Sequence, residues 1–305
     1  MRGASPALVA LAAFFWGLSG GIGGMLMAAG WDAFAVAFYR GAIGLLFILA
    51  WLSLHPQGHG LTSHRLWFWS TVAGLGAAGN FAFYFVSIQH GSLAVAATLM
   101  YCAPLYVYLV CFALRLEQPS ALKWTAIAVV ILGMGLLTEV HDIGANGITP
   151  IGIGAGLLAG LCYALFIFGF KYAAPHGSPQ AILSIAFLVL ACVLIWPADR
   201  EQILAVLSTA DWPLFAALGV LGAGVSFVVY IYGLKKTSPA LASMVAMIEP
   251  VTASLFGLVL LDESLVLHQG LGMGLILITI TALSVYSSGR RPLSRHSVFT
   301  SRHGQ

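Results

Sequence analysis

The sequence predicts an all-α integral membrane protein: ten transmembrane helices, arranged as two inverted five-helix repeats. Three observations carry this. Of 305 residues, 60% are hydrophobic and 8% charged, whereas soluble domains average roughly 25% charged residues. Ten apolar runs approach the roughly 20 residues that a spanning helix needs. Finally, a shift of 146 residues lays the chain on itself, with 12 of the 43 positions from Leu75 to Glu117 identical in 221–263.

The identities include Leu75-Gly76-Ala77 on Leu221-Gly222-Ala223, Phe81 on Phe227, Tyr84 on Tyr230, Ser92 on Ser238, Pro104 on Pro250 and Glu117 on Glu263. Positive charge does not follow. Lys235-Lys236 replace Gln89-His90, Arg65 becomes Asp211, Arg115 becomes Leu261 and Lys123 becomes Gln269. Lys and Arg collect on the cytoplasmic side of membrane proteins, so retained sequence with reversed charge marks two copies lying upside down to one another. The predicted division is 1–144 for the first repeat, 145–288 for the second and 289–305 for a basic, disordered cytoplasmic tail. The tail is read as a solvated topology signal rather than a lipid clamp.

In order, the predicted spans are 6–28, 33–54, 66–87, 92–113, 121–138, 150–170, 180–197, 212–234, 238–261 and 267–287. Continuous apolar runs, rather than alternation, exclude a β-barrel. Backbone groups in lipid must be satisfied internally, so the spans are helices, and frequent Gly suits close helix packing in membranes. With these spans, 11 Lys and Arg fall on the N-terminal side and only Arg200 on the other, which places both termini in the cytoplasm. Arg2 and the first run also resemble a signal peptide. However, Leu11-Ala12 and Trp16 align with Leu158-Ala159 and Tyr163, so removal would leave the repeat incomplete. Cys102, Cys111, Cys162 and Cys192 fall in spans and fit no zinc spacing. No cofactor or nucleic-acid partner is expected; the partners are a small molecule and the bilayer.

Several residues are candidates for a site. Pro104 and Pro250 interrupt spans 4 and 9 at matching points, and paired interruptions point to the binding centre of a transporter. Glu249 lies mid-span, where a charge costs about 2.5–3.5 kcal/mol. Either it cycles a proton, or it donates to carbonyls freed by Pro250. Arg40 lies inside span 2 and has three possible partners: a carbonyl, Glu249 or a substrate carboxylate. Asn80 and Tyr84 share a helical face, as do their counterparts Ser226 and Tyr230. Trp16, Ser19, Tyr163 and Phe166 fall near the middle of spans 1 and 6. Tyr101, Ser243, Met244 and Met247 precede the two prolines. An apolar site with a few polar groups needs such residues. Interhelical bonding and plain packing are the alternative roles for all of them.

Enzymes fit poorly. Short loops leave little chain outside the bilayer, and Asp262-Glu263 reads as a solvated cap. Gly17-Leu18-Ser19-Gly20 matches the GxSG of intramembrane proteases, but all nine histidines lie in loops, at span ends or in the tail, leaving Ser19 without a base.

Over nearly its full length the chain resembles the drug/metabolite transporter superfamily in its ten-helix EamA-type form. Trp16-Gly17, Tyr39-Arg40, Pro104 and the stretch Ala242-Ser243 through Glu249-Pro250-Val251 to Leu261-Asp262-Glu263 carry the resemblance. It implies a central cavity, peripheral spans 5 and 10, and alternating-access export from the bacterial cytoplasm across the inner membrane. Aromatic amino acid exporters of the YddG type are the nearest branch. Hydrophobic or aromatic amino acids are therefore the expected substrates. A broad drug/metabolite exporter and a non-transporting membrane scaffold are the alternatives. The first copy has Ala103 where the second has Glu249, so one half alone bears the acid.

Overall fold

The computed structural model describes residues 4–54, 60–142, 149–261 and 264–289. The loop 143–148, the Asp262-Glu263 doublet and the tail from Arg290 lie outside the described residues. Those described form helices and turns, with no strand among them. In order they are α1 (Ala4–Ala28), α2 (Ala33–Leu54), α3 (His64–Gln89), α4 (Leu93–Met100), α5 (Ala103–Ala113), α6 (Ala121–Leu137), α7 (Pro150–Ala173), α8 (Pro179–Leu194), α9 (Arg200–Ala205), α10 (Trp212–Gly219), α11 (Ser226–Lys236), α12 (Pro239–Val245), α13 (Ile248–Leu260) and α14 (Leu267–Gly289). A π-helical stretch, Val220–Val225, joins α10 to α11.

Among the described residues, eight segments are long and apolar enough to cross a membrane: Ser5–Ala28, Ala33–Leu54, His64–Gln89, Leu93–Ala113, Pro150–Ala173, Trp212–Lys236, Pro239–Leu260 and Leu267–Tyr286. The two other apolar helices, α6 and α8, have 17 and 16 residues. At about 1.5 Å per residue they reach roughly 24–26 Å, short of a hydrocarbon layer about 30 Å thick. The sequence pattern runs on to 197, whereas α8 ends at Leu194. Pro197 is the reason, because a proline disfavours helix in the residue before it.

Serines start several helices. Ser92 and Ser238, one of the identical pairs, cap α4 and α12 by accepting from Val95 N (3.2 Å) and Leu241 N (3.3 Å). Each satisfies an amide that the first helical turn leaves unbonded. Apolar side chains such as Leu46, Leu132, Ile151 and Ile278 are exposed, at 58–70%. The buried core therefore lies inside an apolar jacket, as suits a lipid solvent.

Helix contacts follow a regular plan. α3 packs along α7, α1 along α11 and α13, α2 on α8, and α6 on α14. Glycine permits the closest approaches. A Cβ on Gly169 of α7 would lie 2.6 Å from Ala73 N and 2.7 Å from Ala73 Cα. Both are backbone atoms of α3 and cannot rotate away. We therefore expect Gly169→Ala to lower stability by about 1–3 kcal/mol through overpacking. Gly154→Ala, on the same helix with nothing within 4 Å, should be neutral or gain a fraction of the roughly 1 kcal/mol helix preference of Ala. Thermal unfolding in detergent compares the two, and equal midpoints would contradict the close α3–α7 contact.

Candidate functional site

The site begins with the two broken helices. Proline has no N–H, so an α-helix cannot run regularly through Pro104 or Pro250. Both spans break just before it, at Tyr101-Cys102 and at Ala246-Met247, and restart as α5 and α13. Tighter turns keep the backbone bonded: Cys102 N–H donates to Leu99 O (3.2 Å) and Met247 N–H to Met244 O (3.1 Å). The carbonyl that Pro250 leaves unbonded belongs to Ala246. It accepts the N–H of Glu249 at 2.9 Å, so the Glu249 carboxyl is not used there. That carboxyl sits in the first turn of α13, at the positive end of the helix dipole, and accepts the Tyr163 hydroxyl at 3.2 Å.

Glu249 faces a cavity of about 350 Å³, within the roughly 300–1,000 Å³ typical of small-molecule sites. Trp16 and Ser19 come from α1, Arg40 from α2, and Asn80, Phe81 and Tyr84 from α3; Tyr101 lies at the first break, Tyr163 and Phe166 on α7 and Phe227 on α11. Met27, Val36, Phe85 and Leu93 continue the wall toward the α1–α2 and α3–α4 turns, so the cavity extends to that face.

Arg40 holds a fixed position. Its Nε and Nη2 both donate to Gly222 O, at 3.2 and 2.9 Å. Gly222 lies in the π-helical stretch, a feature frequent at functional sites. The guanidinium carbon is 5.2 Å from the Phe81 ring centroid. Two of its five donors are bound, leaving three for the cavity. Arg40 and Glu249 share the cavity; elsewhere Lys123 pairs with Glu117, and the His268 ring lies 2.9 Å from Glu139 Oε1.

Away from the α1–α2 turn, an aromatic cluster adjoins the cavity. The Trp16 ring is 4.9 Å from both Phe227 and Tyr230, and Phe170 is 5.7 Å from Phe227. Trp16 Nε1, Ser226 Oγ and Tyr230 OH are buried here without a hydrogen-bond partner.

Nine of the sixteen candidate residues thus meet at this cavity: Trp16, Ser19, Arg40, Asn80, Tyr84, Tyr101, Tyr163, Phe166 and Glu249. Some also hold the scaffold. Asn80 Nδ2 donates to Ala159 O (3.0 Å), tying α3 to α7, and Ser19 Oγ donates to Trp16 O (2.9 Å) in its own helix. Ser226 and Tyr230 lie in or beside the closed cluster instead. Ser243 Oγ donates to Ala240 O (2.9 Å), Met247 is fully buried at the second break, and Pro250 is buried in the first turn of α13. Pro104 and Met244 line a different cavity. Sequence reasoning missed Phe81 and Phe227 as lining residues. Their identity across the 146-residue shift was the available signal.

Known proteins agree with this architecture. The EamA-like transporter family matches residues 5–138 and again residues 150–285. An uncharacterized transporter of Archaeoglobus fulgidus is 31% identical over 252 residues, covering 81% of this chain and 85% of its own. The threonine/homoserine exporter RhtA of Escherichia coli is 28% identical over 200 residues, 65% of this chain and 64% of its own. One solved crystal structure shares the fold, with a TM-score of 0.73 at 17% identity over 94% of this chain and 98% of its own. Both stretches of the family match span apolar helices that pack around one cavity, and on that footing the chain belongs to the EamA-like transporter family.

Proposed function

We propose that the protein exports small zwitterionic metabolites, hydrophobic or aromatic amino acids foremost, by alternating access across the bacterial inner membrane. The observation that carries this reading is the cavity's composition: one carboxylate, one guanidinium and aromatic walls. An amino acid offers the complement, with an ammonium for Glu249, a carboxylate for Arg40 and an apolar side chain for Phe81, Tyr84 and Phe166. The likeness to RhtA, a threonine/homoserine exporter, supports the substrate class. The resemblance to exporters of the YddG type, together with the aromatic wall, favours larger side chains.

The same reading takes the chain as ten spans in two inverted repeats, with α6 and α8 as the short fifth and seventh. Helix packing supports it. Exchanging the halves turns the α3–α7 contact into α11–α1, turns α4–α7 into the contact of α12 and α13 with α1, and returns α2–α8 and α6–α14 to themselves. The family's double match points the same way. With the N-terminal face in the cytoplasm, the cavity faces outward and the aromatic cluster is the inner gate. Asn80 and Tyr84 then line the open side, while their counterparts Ser226 and Tyr230 wait behind the gate. Rocking of the repeats would exchange their roles.

Reconstituted liposomes test this. We expect saturable flux of labelled phenylalanine or threonine, abolished by excess unlabelled substrate. Absence of flux across a broad panel of amino acids and uncharged metabolites would instead favour a membrane scaffold.

A further inference from the structure

Behind the two helix breaks lies a second cavity of about 520 Å³. It is enclosed by α5, the turn between α5 and α6, α6, the start of α12 and the end of α14. Its lining changes character along its length. Glu117, Ser120 and Lys123 sit where the chain turns at the edge of the apolar layer, and Ser238 caps α12 on the same side. Ile127, Leu241 and Leu283 form the apolar remainder. Lys123 and Glu117 are ion-paired, and the ammonium is 5.9 Å from the Tyr108 ring centroid. Tyr108 OH accepts Ser120 N–H at 2.9 Å, which fixes the turn that carries Glu117.

Such a lining suits an amphiphile with a zwitterionic head. A cation and an anion side by side offer a phosphate one partner and an ammonium the other. A quaternary ammonium has no N–H to donate to Glu117, and an anionic head without an amine sets its phosphate against that carboxylate. The polar residues sit at the turn between two apolar helices, where lipid headgroups would lie, and residues of α6 and α14 wall the apolar end.

We propose that this cavity binds one phospholipid bearing a phosphoethanolamine head, its phosphate on Lys123, its ammonium on Glu117, and its acyl region against Ile127, Leu241 and Leu283. The site also adjoins the transport machinery. Pro104 and Met244 belong to its wall, while Tyr101 and Glu249, across the breaks, line the first cavity. The lipid would brace α5 against α12 from behind. This bracing role rests on the proposed function; lipid binding itself does not.

Native mass spectrometry of the whole chain, released from bilayers of equal phosphatidylethanolamine, phosphatidylcholine and phosphatidylglycerol, tests the binding. One phosphatidylethanolamine should be retained over the other two by about tenfold, the worth of one charge-assisted hydrogen bond. Glu117→Gln and Lys123→Gln should each remove that preference. Leu241→Trp, which fills the apolar end but leaves the ion pair intact, should abolish retention while the unfolding midpoint holds. Equal retention of all three lipids by the wild-type chain would overturn the proposal, and that measurement needs no variant to fold. Undiminished retention in Leu241→Trp would do the same. Displacement by soluble glycerophosphoethanolamine at matched concentration would show that the head alone is recognised and that no lipid is needed. None of these readouts uses flux, so failure here is distinct from failure of the transport reading.

Discussion

Glu249→Gln is expected to weaken binding of substrates that carry a primary ammonium by about 30-fold or more. Glutamine keeps the shape and still accepts the Tyr163 hydroxyl, so the fold should survive. What it loses is the one carboxylate that lines the cavity among the described residues. Truncating one partner of a buried, hydrogen-bonded charge pair costs about 2–5 kcal/mol, and each 1.4 kcal/mol is tenfold. N-acetylated analogues have no ammonium and should be indifferent to the change. Competition against labelled phenylalanine in liposomes, repeated across a pH series, measures both. Equal affinity for the free and acetylated amino acid in wild type and variant alike would end the ammonium role. A wild-type pH dependence retained in full by the variant would end the proton-cycling role as well.

The second large effect belongs to Arg40. Arg40→Gln removes two donors from Gly222 O and the cavity's positive charge. The lost hold on the π-helical stretch should lower stability by about 1–3 kcal/mol, the cost of a buried acceptor left unpaired. Beyond that, the variant should lose amino acids selectively and keep amines that lack a carboxylate, such as phenethylamine. Arg40→Lys restores the charge but not the planar fork, so it should recover part of the amino acid affinity and little of the stability. If amino acids and amines suffer alike in Arg40→Gln, the residue is a structural anchor and touches no substrate.

How much of this was legible in the sequence depended on how local each signal was. Apolar runs located the apolar helices, eight of them long enough to span among the described residues, because lipid imposes length and hydropathy directly. Pro104 and Pro250 located the breaks because a missing N–H acts on its own helix. The split of span 8 into α10, the π-helical stretch and α11 carries no such mark. Gly222 and Gly224 permit it, but the irregular turn is gripped from α2 by Arg40. The short α9 was equally invisible. Six residues hold no apolar period, and its place comes from distant contacts: Tyr39 OH donates to Ile203 O at 2.6 Å and Asp32 N–H to Gln202 Oε1 at 2.5 Å.

Site residues divided along a similar line. Trp16, Arg40, Tyr163 and Glu249 stood out because polar or aromatic groups are scarce in the middle of a span. Ser226 and Tyr230 were selected as equivalents of Asn80 and Tyr84, yet they lie away from the cavity wall. Pattern matching assigns equivalent positions but cannot say which end of the route is open.

The polar atoms buried in and beside the aromatic cluster bear on the proposed rocking of the repeats. Trp16 Nε1, Ser226 Oγ and Tyr230 OH each forgo a partner, at about 1–3 kcal/mol apiece. Ring packing holds the cluster together, while the unpaired groups weaken it. In the proposed transport cycle, parting the rings would let water reach these three groups, which would offset part of the lost ring packing.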